Sequence, residues 1–319
     1  MFPSIVADIG GTNARFALVV GEQAGQFVIE NISILNGSEY ATFSDALRAY
    51  MSQLDGVKVH SACVAIAGPV EGDAVKMTNL SWSFSQAAVC EEFAFNRFIA
   101  INDFASLAVA TSALLPGDLV SLRDGLRDPR GNKAILGPGT GLGVAGLAYT
   151  GKGWLPIPSE GGHVNIAPAT PLECEVIKAA MARHGHVSAE VFISGPGLVN
   201  LYKVMCDVNG AEPRSLEPKN VTAEGVSGED QNCRQTLDVF CSFIGSLAGN
   251  IALTYGAKGG VYLGGGVLPR IADFLKASDF NQRFSDKGVM SKYVKDIPVD
   301  LISHPHLAIL GSAAWLAQF

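Results

Sequence analysis

Charge is scarce in this chain, and what there is leans acidic. Of the 319 residues 17% are charged, 23 basic against 30 acidic, for a formal net charge of −7. With 48% hydrophobic residues, that composition excludes a disordered chain and fits a globular one. No basic run of the kind that tracks a phosphate backbone occurs, and an acidic chain repels nucleic acid and anionic membrane. Neither is an expected partner. The six cysteines (Cys63, Cys90, Cys174, Cys206, Cys233 and Cys241) form no C-x-x-C pair, which argues against a zinc ribbon or a thioredoxin-like motif. They read as reduced, partly buried thiols of a reducing compartment. Met1-Phe2-Pro3-Ser4 offers no basic or apolar leader region, so a cytoplasmic location is expected. The most apolar stretch, Val239–Leu253, is too short for a bilayer and is interrupted by Asn250; it reads as a buried helix.

The length sets a prior of two domains. Short apolar runs at Ser4–Ala7, Arg15–Val20 and Gln26–Leu35 read as strands. A helix is expected over Thr42–Leu54, with Thr42 as N-cap. Ala62–Ala67 and Phe98–Ile101 read as buried strands, the latter leading into a helix over Phe104–Leu115. After Pro116-Gly117 a second set of strands begins at Lys133–Leu136, Gly143–Tyr149 and Gly153–Ile157. Helices follow at Pro171–Arg183, Leu198–Val208 and Asp230–Thr254, then a strand at Val261–Leu263 running into three glycines and a helix. The chain closes with a strand, Val299–Ile302, and a helix, Leu307–Gln318. Each half thus opens with a strand and a glycine-rich hairpin, a hint of internal duplication.

Five groups of residues carry chemistry. In Asp8-Ile9-Gly10-Gly11-Thr12-Asn13, paired glycines let the backbone turn sharply, and amide groups with the Thr12 hydroxyl suit anionic oxygens. Asp8 at the strand end suits Mg²⁺ held through water; a plain turn with a capping Asp has the same letters. Gly137-Pro138-Gly139-Thr140-Gly141-Leu142-Gly143 is followed by a strand rather than a helix, which excludes a dinucleotide fingerprint, and no Gly-Lys-Ser/Thr follows, which excludes a P-loop. It reads as a glycine hairpin able to cradle phosphates, or as a tight hairpin in a core sheet. Gly264-Gly265-Gly266, at a strand–helix junction, would let an adenosine lie on bare backbone, or is a flexible turn. Asn102-Asp103 ends a strand, where open α/β sheets bind ligands. Asp103 suits the carboxylate that accepts a hydroxyl proton in phosphoryl transfer, and equally an N-cap. Ser159-Glu160-Gly161-Gly162-His163 and Glu190 offer planar polar groups for hydroxyls, although Glu190 by itself reads as a surface carboxylate.

The set is more specific than its members. Asp8–Arg15, Ile101-Asn102-Asp103-Phe104, Gly137–Gly143, Glu160-Gly161-Gly162-His163-Val164, Ser194-Gly195-Pro196-Gly197-Leu198 and Gly264–Gly266 occur in one order. That order resembles the bacterial ATP-dependent glucokinase family of the hexokinase–actin superfamily, from about Ile5 to about Leu316. Met77-Thr78-Asn79 and Gly185–Glu190 belong to the resemblance. It implies an α/β, two-domain actin-like ATPase (ribonuclease H-like) fold with a central cleft. The small domain would comprise residues 1–113 plus 303–319, and the large one 114–302. It implies Asp103 as catalytic base; Asn79, Asn102, Asp103, Glu160, His163 and Glu190 as sugar ligands; and Asp8, Gly10, Gly11, Thr12, Asn13, Gly137, Gly139, Thr140, Gly264, Gly265 and Gly266 around ATP and Mg²⁺. A homodimer that closes its cleft on glucose is the family pattern.

Two departures matter. The family often has Glu-Arg where this chain has Glu190-Val191. The repressor-related sugar kinases carry a cysteine-rich zinc motif after their Glu-x-Gly-His, whereas Val164-Asn165-Ile166-Ala167-Pro168 has no cysteine, which favours the zinc-free group. A kinase for mannose, fructose or an amino sugar is the same-chemistry alternative. A non-catalytic sugar sensor is the other, and the intact Asp103 and glycine loops argue against it.

Overall fold

The computed structural model describes residues 2–68, 70–77 and 80–318. The chain divides into two compact units: Met1–Leu115 with Lys152–Pro158 and His304–Phe319, and Pro116–Gly151 with Ser159–Ser303. The strip Lys152–Pro158, which the sequence reading gave to the larger domain, groups with the first unit.

The first unit contains β1 (Ser4–Ile9), β2 (Asn13–Gln23), β3 (Gln26–Asn36), α1 (Phe43–Met51), β4 (Ser61–Ile66), a small hairpin of β5 (Ala74–Lys76) and β6 (Ser83–Ser85), α2 (Gln86–Glu92), β7 (Arg97–Asn102) and α3 (Asp103–Ala110). Its main sheet has the order β3-β2-β1-β4-β7. β1 is antiparallel to β2 and parallel to β4, and β4 is parallel to β7. β4 is buried along its whole length, as expected for a strand covered on both faces. One face packs on α1, whose start is fixed by a capping box between Thr42 and Asp45. Phe16, Phe43, Tyr50 and Trp82 fill that core.

The second unit adds β8 (Leu119–Arg123), β9 (Lys133–Pro138) and β10 (Leu142–Tyr149); β11 (Trp154–Ser159) comes next in the chain. Then follow α4 (Pro171–His184), α5 (Gly195–Val208), α6 (Pro218–Ser227), α7 (Gln231–Tyr255), β12 (Val261–Leu263), α8 (Ala272–Ala277), α9 (Phe280–Ser285), α10 (Ser291–Val294) and β13 (Val299–Ile302). Inside this unit the strand order is β10-β9-β12-β13-β8. β9 is antiparallel to β10 and parallel to β12, and β12 is parallel to β13. This repeats the pairing pattern of the first unit, so the duplication hinted at by the sequence is real at the level of topology. α7 is 25 residues long and apolar enough to cross a membrane by length and composition. It is nonetheless a core helix, capped by Asp230 and ended by Gly256 in the left-handed region, with Phe240, Phe243, Ile244 and Leu247 buried in the unit's core. α11 (Leu307–Gln318) returns to the first unit and packs its apolar face on Val6, Ala17, Cys63 and Ala65.

Candidate functional site

In the first unit the candidate side chains Asp8, Asn102 and Asp103 gather at the C-terminal edge of the parallel strands. Register places Ile9, Ile66 and Asn102 side by side on β1, β4 and β7. The loops that follow these three strands therefore share one edge, with β1 and β7 two strand spacings, about 10 Å, apart. Asn102 is the N-cap of α3: its Oδ1 accepts from the Ala105 amide at 3.0 Å. Its Nδ2 donates to the Gly68 carbonyl and to Asp103 Oδ1, both at 3.0 Å. Asp103 is the first helical residue rather than the cap, so the capping role open to it in the sequence belongs to its neighbour. Its Oδ1 also accepts from the Phe104 amide at 2.9 Å. Helix N-terminal amides favour a carboxylate there, and the Asn102 amide fixes its orientation.

Asp8 lies on the same edge. Its carboxylate accepts from Arg15 Nη1 at 3.1 Å, across the β1–β2 pair where the two residues face each other. Burial raises the Asp8 pKa, opposed by Arg15 and by His306. Burial likewise lowers that of His306, with Arg15 and His304 adding to the effect and Asp8 opposing it. Arg15 Nε and His306 Nδ1 are buried without a hydrogen-bond partner. Asp8, Gly10, Gly11, Thr12, Asn13 and Arg15 line a hollow of about 210 Å³. The Gly10 amide closes the turn onto the Asn13 carbonyl at 2.9 Å, so it is committed within the loop.

The second unit brings four predicted segments together around the β9–β10 hairpin. Pro138 faces Leu142, leaving Gly139-Thr140-Gly141 as the tip, and the Gly139 amide donates to the Gly141 carbonyl at 2.8 Å. The three-glycine turn lies against it: the Gly264 amide donates to the Leu136 carbonyl at 2.8 Å. Gly265, at φ +89°, could carry no Cβ, because one would sit 2.2 Å from the Pro138 carbonyl oxygen. The glycines of Glu160-Gly161-Gly162-His163 also serve close approach, since a Cβ on Gly162 would lie 1.9 Å from the Leu142 carbonyl oxygen. Glu160 and His163 stay exposed on either side of that contact. The Glu160–Val164 and Ala189–Glu190 segments are tied by the Ala189 amide, which donates to the Val164 carbonyl at 2.8 Å. Glu190 is half-buried, and its Oε2 accepts from the Leu142 amide at 2.8 Å.

Sequence reasoning missed three of these participants. Arg15 was legible only as part of a motif, yet it is the charge partner of Asp8. Gly195 at the start of α5 donates to the Gly139 carbonyl at 2.8 Å, a link signalled in sequence by Ser194-Gly195-Pro196-Gly197 but not assigned a role. Leu142 supplies an amide that no letter pattern singles out. Asn79, an expected sugar ligand, lies outside the described residues.

The family model described as Glucokinase matches residues 5–319. The chain is 64% identical to a glucokinase of Saccharophagus degradans, over 100% of this chain and 99% of that protein. The crystal structure of a glucokinase from an Antarctic psychrotroph superposes with a TM-score of 0.95 at 40% identity, covering all of both chains. A glucokinase of the ROK family from Streptomyces griseus, solved with glucose and AMPPNP, shares the fold at TM-score 0.65 and 17% identity, over 98% of each chain. The fold is therefore the two-unit actin-like ATPase fold of sugar kinases. The motif order, the duplicated sheets and the full-length match together place this chain in the glucokinase family.

Proposed function

We propose that this chain is a hexose kinase that transfers the γ-phosphoryl group of ATP to the 6-hydroxyl of D-glucose. The observation that carries the reading is the 64% identity to a glucokinase across the full length of both proteins. Asp103, the first residue of α3, and the glycine-rich turns Gly10–Thr12 and Gly137–Thr140 add to that reading.

In this reading Asp103 is the general base. It accepts the proton of the sugar 6-hydroxyl as the oxygen attacks phosphorus, and the Asn102 amide keeps its carboxylate oriented. Asn79, Asn102, Glu160, His163 and Glu190 hold the other hydroxyls. The Gly10–Thr12 turn and the Gly137–Thr140 hairpin hold phosphate oxygens, and Gly264–Gly266 lies along the adenosine. Asp8 offers a hard carboxylate oxygen for a Mg²⁺ site, in a hollow also lined by Gly10, Gly11, Thr12, Asn13 and Arg15, whose guanidinium suits phosphate oxygens. The ion would supply charge neutralisation of the phosphates. A homodimer in the cytoplasm belongs to the same reading, on family grounds.

Asp103→Asn tests the base. Turnover in a coupled ADP-release assay should fall by about a thousandfold or more, while glucose affinity stays within a few-fold of the parent. Near-normal kcat in that variant would remove Asp103 from the role. ADP release with another hexose and none with glucose would move the substrate.

A further inference from the structure

The reading above makes Glu190 a sugar ligand and Gly137–Thr140 a phosphate loop. The geometry points to a second task for the same carboxylate, and this inference rests on that reading. We propose that Glu190 is also a positioning residue for the nucleotide: it fixes the β9–β10 hairpin in its phosphate-binding shape before any sugar arrives.

The hairpin tip is anchored at two points. On one side the Gly195 amide, first in α5, holds the Gly139 carbonyl at 2.8 Å. On the other Glu190 Oε2 holds the Leu142 amide at 2.8 Å. The fit there is close: a Cβ on Gly141 would sit 2.6 Å from that oxygen, so the tip is glycine where the carboxylate passes. Glu190 is itself held by its backbone. Its carbonyl accepts from Ser194 Oγ at 3.0 Å, and the same Oγ caps α5 by accepting from the Gly197 amide at 2.9 Å. One short segment, Glu190–Gly195, therefore grips both sides of the loop. The Gly139 amide is already used inside the tip. With three residues in the loop and glycine at two of them, the tip has little intrinsic stiffness. An amide that loses a charged acceptor loses more than a neutral hydrogen bond would. The loss falls on a loop whose value for binding is its pre-organisation.

The consequence is a coupling between the two substrates through one side chain. A sugar that recruits Glu190 also sets the orientation of the carboxylate holding Leu142, so sugar and nucleotide affinities should depend on each other through this residue.

The test is AMPPNP binding to the purified enzyme with Mg²⁺ and no sugar, measured calorimetrically, for the parent, Glu190→Ala and Glu190→Gln. Glu190→Ala removes the acceptor and should weaken AMPPNP about tenfold. Glu190→Gln keeps an amide oxygen for Leu142 and should leave AMPPNP within about twofold, while the glucose KM rises. A third variant, Gly141→Ala, displaces the carboxylate from the other side and should weaken AMPPNP although the Glu190 side chain itself is retained. The positioning role is overturned if Glu190→Ala and Gly141→Ala both bind AMPPNP as the parent does. If AMPPNP follows the expected split and the glucose KM of Glu190→Gln does not move, the positioning role stands and the sugar role of Glu190 falls.

Discussion

At the scale of single residues, Asp8 shows how much of a site is set by what faces a side chain across a strand pair. Burial pushes its carboxyl up; Arg15 and His306 push it down. A carboxylate that holds a cation has to be ionised, so in the proposed Mg²⁺ role of Asp8 its Arg15 partner would extend activity toward acid pH. Arg15→Met removes the larger of the two opposing charges. The acid limb of kcat/KM for ATP should then shift to higher pH, with a loss that is greatest at acid pH and narrows as the pH rises. Arg15→Lys, which keeps the charge, should restore most of the profile. A limb that stays in place in Arg15→Met would separate Asp8 from the catalytic ionisation. The letters Asp8 and Arg15 were readable; their confrontation was not, because it depends on a two-residue hairpin register that a glycine pair alone does not fix. The same holds for Glu190. Alone it reads as a surface carboxylate, and only the fold carries it to the Leu142 amide, 48 residues away in sequence.

At the scale of elements, the strong periodic and apolar runs were legible. β13 and α11 fall where the sequence places them, and the buried strands β4 and β7 differ from expectation by a residue at each end. The elements that escaped are those whose formation is tertiary. α6 buries only Val221, Thr222 and Gly225, so its sequence carries little apolar pattern. It is held because Gly225 lets α7 come close: a Cβ there would be 2.7 Å from Leu237 Cδ1. β8 is an antiparallel edge strand of five residues between turn-rich stretches, α2 is a seven-residue helix, and neither has the length to show a period. The contact between α3 and α11 follows the logic of α6 and bears on the proposed base, since α3 begins at Asp103. Ser106 Oγ donates to the Ala308 carbonyl at 2.8 Å, and a Cβ on Gly311 would lie 2.0 Å from the Ser106 carbonyl oxygen. Gly311→Ala must therefore push the two helices apart. Overpacking of this kind costs about 1–3 kcal/mol, read as a lower urea midpoint, and kcat should fall because the start of α3 moves with its body. An unchanged midpoint would mean that the helices absorb a methyl group without separating.

At the scale of the whole molecule, two units repeat one sheet pattern, and each has its own core: Phe16, Tyr50 and Trp82 in the first, Phe192, Phe240 and Phe243 in the second. All three tryptophans (Trp82, Trp154 and Trp315) belong to the first unit, whereas α4 through α10 belong to the second. Tryptophan fluorescence therefore reports the first unit, and far-ultraviolet circular dichroism is dominated by the second. Separate cores imply separate responses to damage in one of them. The second unit contains a suitable target. Glu173 and Arg283 form an ion pair at 3.0 Å with side chains 3% and 9% exposed. Glu173 also accepts from the Ala169 amide at 2.6 Å, and Arg283 Nε donates to Ser246 Oγ at 3.1 Å. Removing one partner leaves the other buried and uncompensated, at a cost of about 3–5 kcal/mol. Glu173→Ala should accordingly lower the urea midpoint followed by circular dichroism and leave the midpoint followed by tryptophan fluorescence nearly in place. Replacing both partners together, Glu173→Leu with Arg283→Met, should recover part of the loss, because no lone charge remains in the core. Coincident shifts of the two probes would show instead that the cores unfold as one cooperative body, and the repeated sheets would then be a single thermodynamic unit.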